Sequence, residues 1–128
     1  MLQKAAITFG IILLVVGILG FVPGAAPDNM LLGLFHVNAA HNVVHLLSGA
    51  VALWAGLTSA SNSRLYFRVF GVVYALVAVL GFVSGDEPVL GIVANNAADT
   101  WLHVLIAVVS LALGFGVKDS GPPVKSTV

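Results

Sequence analysis

Cysteine is absent from the 128 residues of the chain. Disulfides, thiolate metal ligands and thiol nucleophiles are therefore excluded, and cysteine usage says nothing about redox compartment. Charge is nearly as scarce, with five Lys and Arg against five Asp and Glu and a net charge of zero. So few cations exclude a basic face for nucleic acid. Signatures of soluble enzymes are missing as well: no nucleophile elbow, P-loop or paired-carboxylate hydrolytic site is visible.

What the chain has is apolar length. Hydrophobic residues make up 59% of it and its mean hydropathy is +1.08, which leaves no room for a soluble catalytic domain. Four spans are predicted, over residues 4–22, 38–58, 65–84 and 96–117. Each has about the 20 residues that ~30 Å of hydrocarbon requires. Backbone in lipid must satisfy its own hydrogen bonds, so the spans are expected to be helices. The first span, with Lys4 ahead of it and Gly24-Ala25-Ala26 behind, superficially resembles a signal peptide. Its Leu-Gly-Phe-Val ending returns in the third span, so it reads as a retained helix.

Lys4, Arg64, Arg68, Lys118 and Lys125 fall at the N-terminus, around the middle loop and in the tail. The loops holding Asp28 and Asp86-Glu87 carry no Lys or Arg. By the positive-inside rule both termini and the 59–64 loop are expected in the cytoplasm, with the two longer loops outside. Trp54, Tyr66 and Trp101 are expected in the aromatic belts, with Arg64 and Arg68 as interface anchors. Residues 58–63 read as a polar connector. Residues 119–128 read as a mobile cytoplasmic tail after one domain spanning 1–118. Asp28 and Asp86 are expected to cap short interfacial turns over 30–37 and 89–93.

The chain repeats itself. Residues 28–57 recur 58 positions later as 86–115, so that Leu32-Gly33 meets Leu90-Gly91, Asn38 meets Asn96 and His45 meets His103. Upstream the offset is 61, because Ala25-Ala26-Pro27 is inserted in the first copy. Each unit (about 4–58 and about 65–117) is an outward helix, a loop and an inward helix. Two spans per unit preserve orientation. The expected architecture is therefore an all-α membrane four-helix bundle, made of two parallel helical hairpins about a pseudo-twofold axis along the membrane normal.

Asn38 and Asn96 are candidate N-caps. From each a stripe descends at spacings of three and four: Asn38, His41, His45, Gly49, Ala52, Gly56, and Asn96, Asp99, His103, Ala107, Ser110, Gly114. Ionisable residues inside a membrane rarely face lipid. The stripes are thus expected to face each other across the axis, with the small residues allowing close approach. At about 1.5 Å per residue, His41 and Asp99 lie roughly 5 Å below the caps and His45 and His103 roughly 10 Å.

Three imidazoles and a carboxylate, set as two i, i+4 pairs, suit a divalent transition metal such as zinc, iron or copper. Asn38, Asn42, Asn96 and Thr100 are candidates for orienting the ligands. Three other readings stay open. His45 and His103 stand at equal depth, as the axial ligands of a b-type haem would. The cluster could serve only to fix helix packing, in a structural or partner-binding membrane subunit. It could also begin an ion path, although no ionisable residue continues the stripe inward. A metal with an open position could do chemistry, but nothing names a substrate. His36 reads as a surface histidine rather than a fifth ligand, and Tyr74 as a packed aromatic whose hydroxyl finds a partner. Small residues facing lipid leave room for a homo-oligomer or a place in a membrane complex.

Three segments carry a family resemblance: GILGFVPG from Gly17 to Gly24, LGLF at 32–35 running into HNVVHLLSG from His41 to Gly49, and ADTWLH from Ala98 to His103. In these the chain resembles the small bacterial four-helix membrane proteins catalogued as domain of unknown function 4383. The resemblance spans all four predicted helices. It implies the fold and a place in the bacterial inner membrane, and no activity.

Overall fold

The computed structural model describes residues 1–118, so the predicted tail at 119–128 lies outside the described residues. Four helices carry the fold: α1 (Leu2–Leu19), α2 (Ala39–Thr58), α3 (Ala60–Ser84) and α4 (Ala97–Gly116). Each is long and apolar enough to cross a membrane. The side chains turned away from the bundle are mostly Val, Leu, Ile and Phe, among them Leu47, Leu57, Leu76 and Val108. A surface of that composition is suited to lipid, where it gains nothing by packing inward.

Close packing inside each hairpin comes from glycine. Cβ atoms built on Gly10 and Gly49 would each meet the other helix's backbone, Leu53 N at 2.7 Å and Gly10 O at 2.8 Å. Gly56 lies against Gln3 and Ile7 of α1, and Gly114 against Phe67 and Arg68 of α3. The small residues of the two stripes therefore do not bring α2 onto α4, as expected from the sequence. They seat α2 on α1 and α4 on α3, because that is where backbone meets backbone.

The hairpins join through α3, which packs on both α2 and α1. The Phe9 ring stands edge-on to Phe67 and Tyr66 at centroid distances of 5.7 and 6.2 Å, and Leu13 packs with Tyr74, Ile106 and Ala107. Tyr66 is thus a core residue, 4% exposed, and its hydroxyl donates to Ser48 O at 3.0 Å. That corrects its expected place in an aromatic belt; Trp54 and Trp101 do face outward. Tyr74 is buried and donates to Ser48 Oγ at 3.0 Å.

Two boundaries differ from the sequence reading. Helix α1 stops at Leu19, short of Val22. Helix α3 starts at Ala60, so most of the supposed connector is its first turn. Ser59 alone separates α2 from α3, and its side chain caps α3 by accepting from Asn62 N. At the far end of α3's partner, Arg64 and Arg68 reach the last carbonyls of α4: Arg64 Nη1 to Val117 O at 2.6 Å and Arg68 Nε to Gly114 O at 2.7 Å. Both cations oppose the negative end of that helix's dipole.

The two longer loops are not helical turns capped by aspartate. Strands β1 (Met30–Leu31) and β2 (Phe35–His36) form a small antiparallel ribbon. Asp28 stands at φ 53° within a short 3-10 turn and makes no cap bond. In the second loop Val89 bridges Val93. Both loops turn on a Leu-Gly pair at positive φ: Leu32 and Gly33 at 54° and 70°, Leu90 and Gly91 at 54° and 72°. Glycine makes that geometry inexpensive at the second position.

Candidate metal centre

The helix caps set the depth of the site. Asn38 Oδ1 accepts from His41 N at 2.9 Å, and Asn96 Oδ1 accepts from Asp99 N at 2.9 Å. Asp99 Oδ2 returns a bond to Asn96 N at 3.0 Å, completing a capping box. The two cap amides also cross between the loops. Asn38 Nδ2 donates to Ile92 O at 2.9 Å, and Asn96 Nδ2 donates to Leu34 O at 3.0 Å. These bonds hold the starts of α2 and α4 each against the loop of the other hairpin.

Beneath this roof the ionisable groups converge. His41, His45, Asp99 and His103 are all buried. The imidazoles of His41 and His45 stack at 4.9 Å, with their Nε2 atoms 3.0 Å apart. His103, from the other hairpin, lies 5.6 Å from the His41 ring and 6.1 Å from the His45 ring. One ring nitrogen from each of the three falls within 4.8 Å of the others. Asp99 Oδ1 stands 4.0 Å from His41 Nε2. Upper portions of the two stripes thus meet even though the lower portions do not.

Hydrogen bonding fixes the state of His41. Its Nδ1 lies 2.9 Å from Ala94 O and 3.1 Å from His36 O. Both are acceptors, so Nδ1 carries a proton and donates. In the neutral ring Nε2 then presents its lone pair towards His45 and Asp99. His45 Nε2, 3.0 Å away, is then the donor of a hydrogen bond to that lone pair; metal-bound imidazoles share the first half of this arrangement, one nitrogen held by a carbonyl. Asp99 is fixed comparably: Oδ2 accepts from Asn96 N and from His36 N, both at 3.0 Å. Its Oδ1, and Nδ1 of both His45 and His103, are buried with no hydrogen-bond partner among the described residues. Ser110 Oγ, further down α4, is likewise buried without a partner among the described residues; such atoms are costly unless something satisfies them.

Of the groups expected to orient these side chains, Asn96 holds Asp99 through its main-chain N–H, which donates to Oδ2. Asn38 and Asn96 act on the backbone through their caps and crossing amides. Asn42 is buried, with its side chain against Gly20. Thr100 Oγ1 donates to Asn95 Oδ1 at 3.3 Å, and Asn95 Nδ2 donates to Gly85 O at 2.7 Å. The His41 ring is oriented instead by the carbonyls of His36 and Ala94, positions that correspond in the repeat. His36 acts through its main chain, which no residue-type signal could have revealed.

Two clefts reach the cluster from opposite faces of the bundle. One, about 190 Å³, lies between α2 and α3 and ends on His41 and His103. The other, about 220 Å³, lies between α1 and α4 and ends on His45. No curated protein and no solved structure matches the chain. The family model described as Domain of unknown function (DUF4383) matches residues 3–116, and the protein belongs to that family.

Proposed function

We propose that the protein is a multi-pass inner-membrane protein that binds a divalent transition-metal ion through His41, His45, His103 and Asp99. The observation that carries this reading is the convergence of three imidazoles from two helices, with ligand nitrogens within 4.8 Å. Zinc–imidazole bonds of about 2.0 Å set tetrahedral ligands about 3.3 Å apart. The His41 and His45 Nε2 atoms, hydrogen-bonded at 3.0 Å, stand close to that spacing, and a metal would replace the proton between them. Modest rotation of His103 and Asp99 would complete the set. Imidazole and carboxylate donors suit zinc, iron or copper.

In this reading the hairpins are related by a pseudo-twofold axis along the membrane normal, with the crossing loops outside and both termini in the cytoplasm. The reciprocal bonds from Asn38 to Ile92 and from Asn96 to Leu34 support the symmetry. The distribution of Lys and Arg supports the orientation.

A haem held by His45 and His103 is a weaker fit. The His41 ring already lies within 6 Å of both partners, and Tyr74, packed with Leu13 and Ile106, stands 5.7 Å from the His103 ring. Elemental analysis of protein purified without chelator tests the proposal. About one equivalent of a single transition metal is expected, falling in a His41→Ala/His103→Ala double variant. Less than a tenth of an equivalent, with no uptake on titration, would overturn it and leave a cluster that serves packing alone. A Soret band lost on changing His45 or His103 would establish haem instead.

A further inference from the structure

We infer that the tips of the two longer loops are sunk in lipid, with Leu32, Leu34, Leu90 and Ile92 among the acyl chains at the edge of the bilayer. All four side chains are more than half exposed. They occupy matching places in the repeat, Leu32 with Leu90 and Leu34 with Ile92. Leu32 and Leu90 each hold a φ of 54°, a conformation that water-facing turns fill with glycine, asparagine or aspartate. In both halves it presents an apolar side chain instead. No charged residue lies within 30–35 or 88–93, whereas Asp28, Asp86 and Glu87 stand exposed just before these stretches. Apolar surface of this kind marks a membrane or a protein partner.

Depth favours the membrane. Val89 and Val93 line one cavity with Val77 and Leu80 of α3. Leu80 precedes the end of that helix by four residues, about 6 Å along its axis. Leu31 and Val37 likewise pack with Val16 and Leu19 of α1. Each loop therefore turns back beside the first helix of its own hairpin, level in α3 with the exposed Val79 and Phe82. Backbone at that depth must find its partners within the protein. Gly33 and Leu34 N–H donate to Met30 O and Leu31 O, and Gly91 and Ile92 N–H to Pro88 O and Val89 O, all at 3.0–3.1 Å. The carbonyls of Leu34 and Ile92 take the amides of Asn96 and Asn38. Polar groups at the tips are thus bonded to the protein while the side chains point away from it. One tip is tied to the start of α4 and the other to the start of α2. A bilayer meets both at once, continuous with the apolar helix faces beside them.

The cysteine-free chain makes this depth measurable. Leu32→Cys and Leu90→Cys are spin-labelled and reconstituted in phosphatidylcholine–phosphatidylglycerol liposomes. Asp86→Cys serves as the water reference and Leu76→Cys, at an exposed position within α3, as the lipid reference. Collision with oxygen relative to chromium oxalate should be at least about threefold higher at both leucine positions than at Asp86, because ~5–10 Å of immersion excludes the anion. A smaller ratio at either position overturns the inference. Low collision with both reagents also overturns it, since a protein surface, a second copy included, would then cover the tips. A carbene photolabel dissolved in the acyl chains gives a readout on the unaltered protein. Label on the peptides carrying 30–34 and 89–93 supports the immersion, and its absence from either refutes it. Neither measurement depends on metal in the histidine cluster.

Discussion

His41 and Asp99 stand in the first turns of different helices, and the main chain of one residue, His36, touches both. Its carbonyl accepts from His41 Nδ1 at 3.1 Å, and its N–H donates to Asp99 Oδ2 at 3.0 Å. The peptide groups flanking His36 thus supply one bond of each polarity to the two side chains by which the repeats differ. An imidazole needing an acceptor and a carboxylate needing a donor are served within one residue. The two side chains are left 4.0 Å apart, Nε2 to Oδ1, each with a lone pair turned towards the cluster.

Asp99→Asn separates charge from shape. The amide oxygen can still accept from the main chain, so the fold should persist, while one anionic ligand is lost. Metal affinity, measured by competition with a chromogenic chelator, should fall about 10–100-fold. Affinity in the unaltered protein should also fall on acidification, because coordinating imidazoles must give up protons. Unchanged affinity in the variant would place Asp99 outside the ligand set.

Asn96→Ala removes a cap, half a capping box and a crossing amide together. Loss of an N-cap costs about 1 kcal/mol, and a hydrogen bond between membrane segments adds about 0.6 kcal/mol. Unfolding in detergent should show a combined loss of about 1–2 kcal/mol. Asn38→Ala, without a capping box, should cost less.

Gly49→Leu should fail where Gly24→Ala is silent. A Cβ at 49 meets Gly10 O and Leu14 N at 2.8 Å, both backbone atoms that cannot swing aside. At 24 nothing lies within 4 Å. Overpacking of this kind costs about 1–3 kcal/mol or more, against changes within about 0.5 kcal/mol at open surface sites. Melting temperature is the measurement.

The absence of cysteine makes membrane orientation directly testable. Asp86→Cys and Ser61→Cys each introduce the sole thiol, both at exposed positions in opposite turns of the bundle. In intact cells a membrane-impermeant maleimide should label the first and not the second. The reverse pattern would invert the topology.

Local features were legible in the sequence because their signals are local. Asn38 and Asn96 announce caps by residue type and by the apolar runs that follow, and the helices begin one residue after each. The spacing of His41 with His45 and of Asp99 with His103 put each pair on one face whatever the tertiary fold. What the sequence concealed depends on partners far along the chain. Gly49 could have faced either α1 or α4, and only the packed bundle shows that it meets Gly10. Tyr66 sits near a span end, where lipid-interface and core positions share the same hydropathy, and its bond to Ser48 decides for the core. The ring-orienting carbonyls of His36 and Ala94 carry no residue signature at all. Ser59 concealed a helix start because polar serines and asparagines read alike as connector and as cap.

The crossing bonds of Asn38 and Asn96 have a consequence for how the protein can be assembled. Each amide finds its acceptor only in the other half, at Ile92 and at Leu34. A lone hairpin could insert and pair its own helices through glycine, yet its cap amide would point at nothing. Two copies of the first half would bring four histidines and no carboxylate to the cluster; two copies of the second would bring two histidines and two carboxylates there. Fusing unlike halves in one chain guarantees a one-to-one mixture that free hairpins, pairing at random, would reach only half the time.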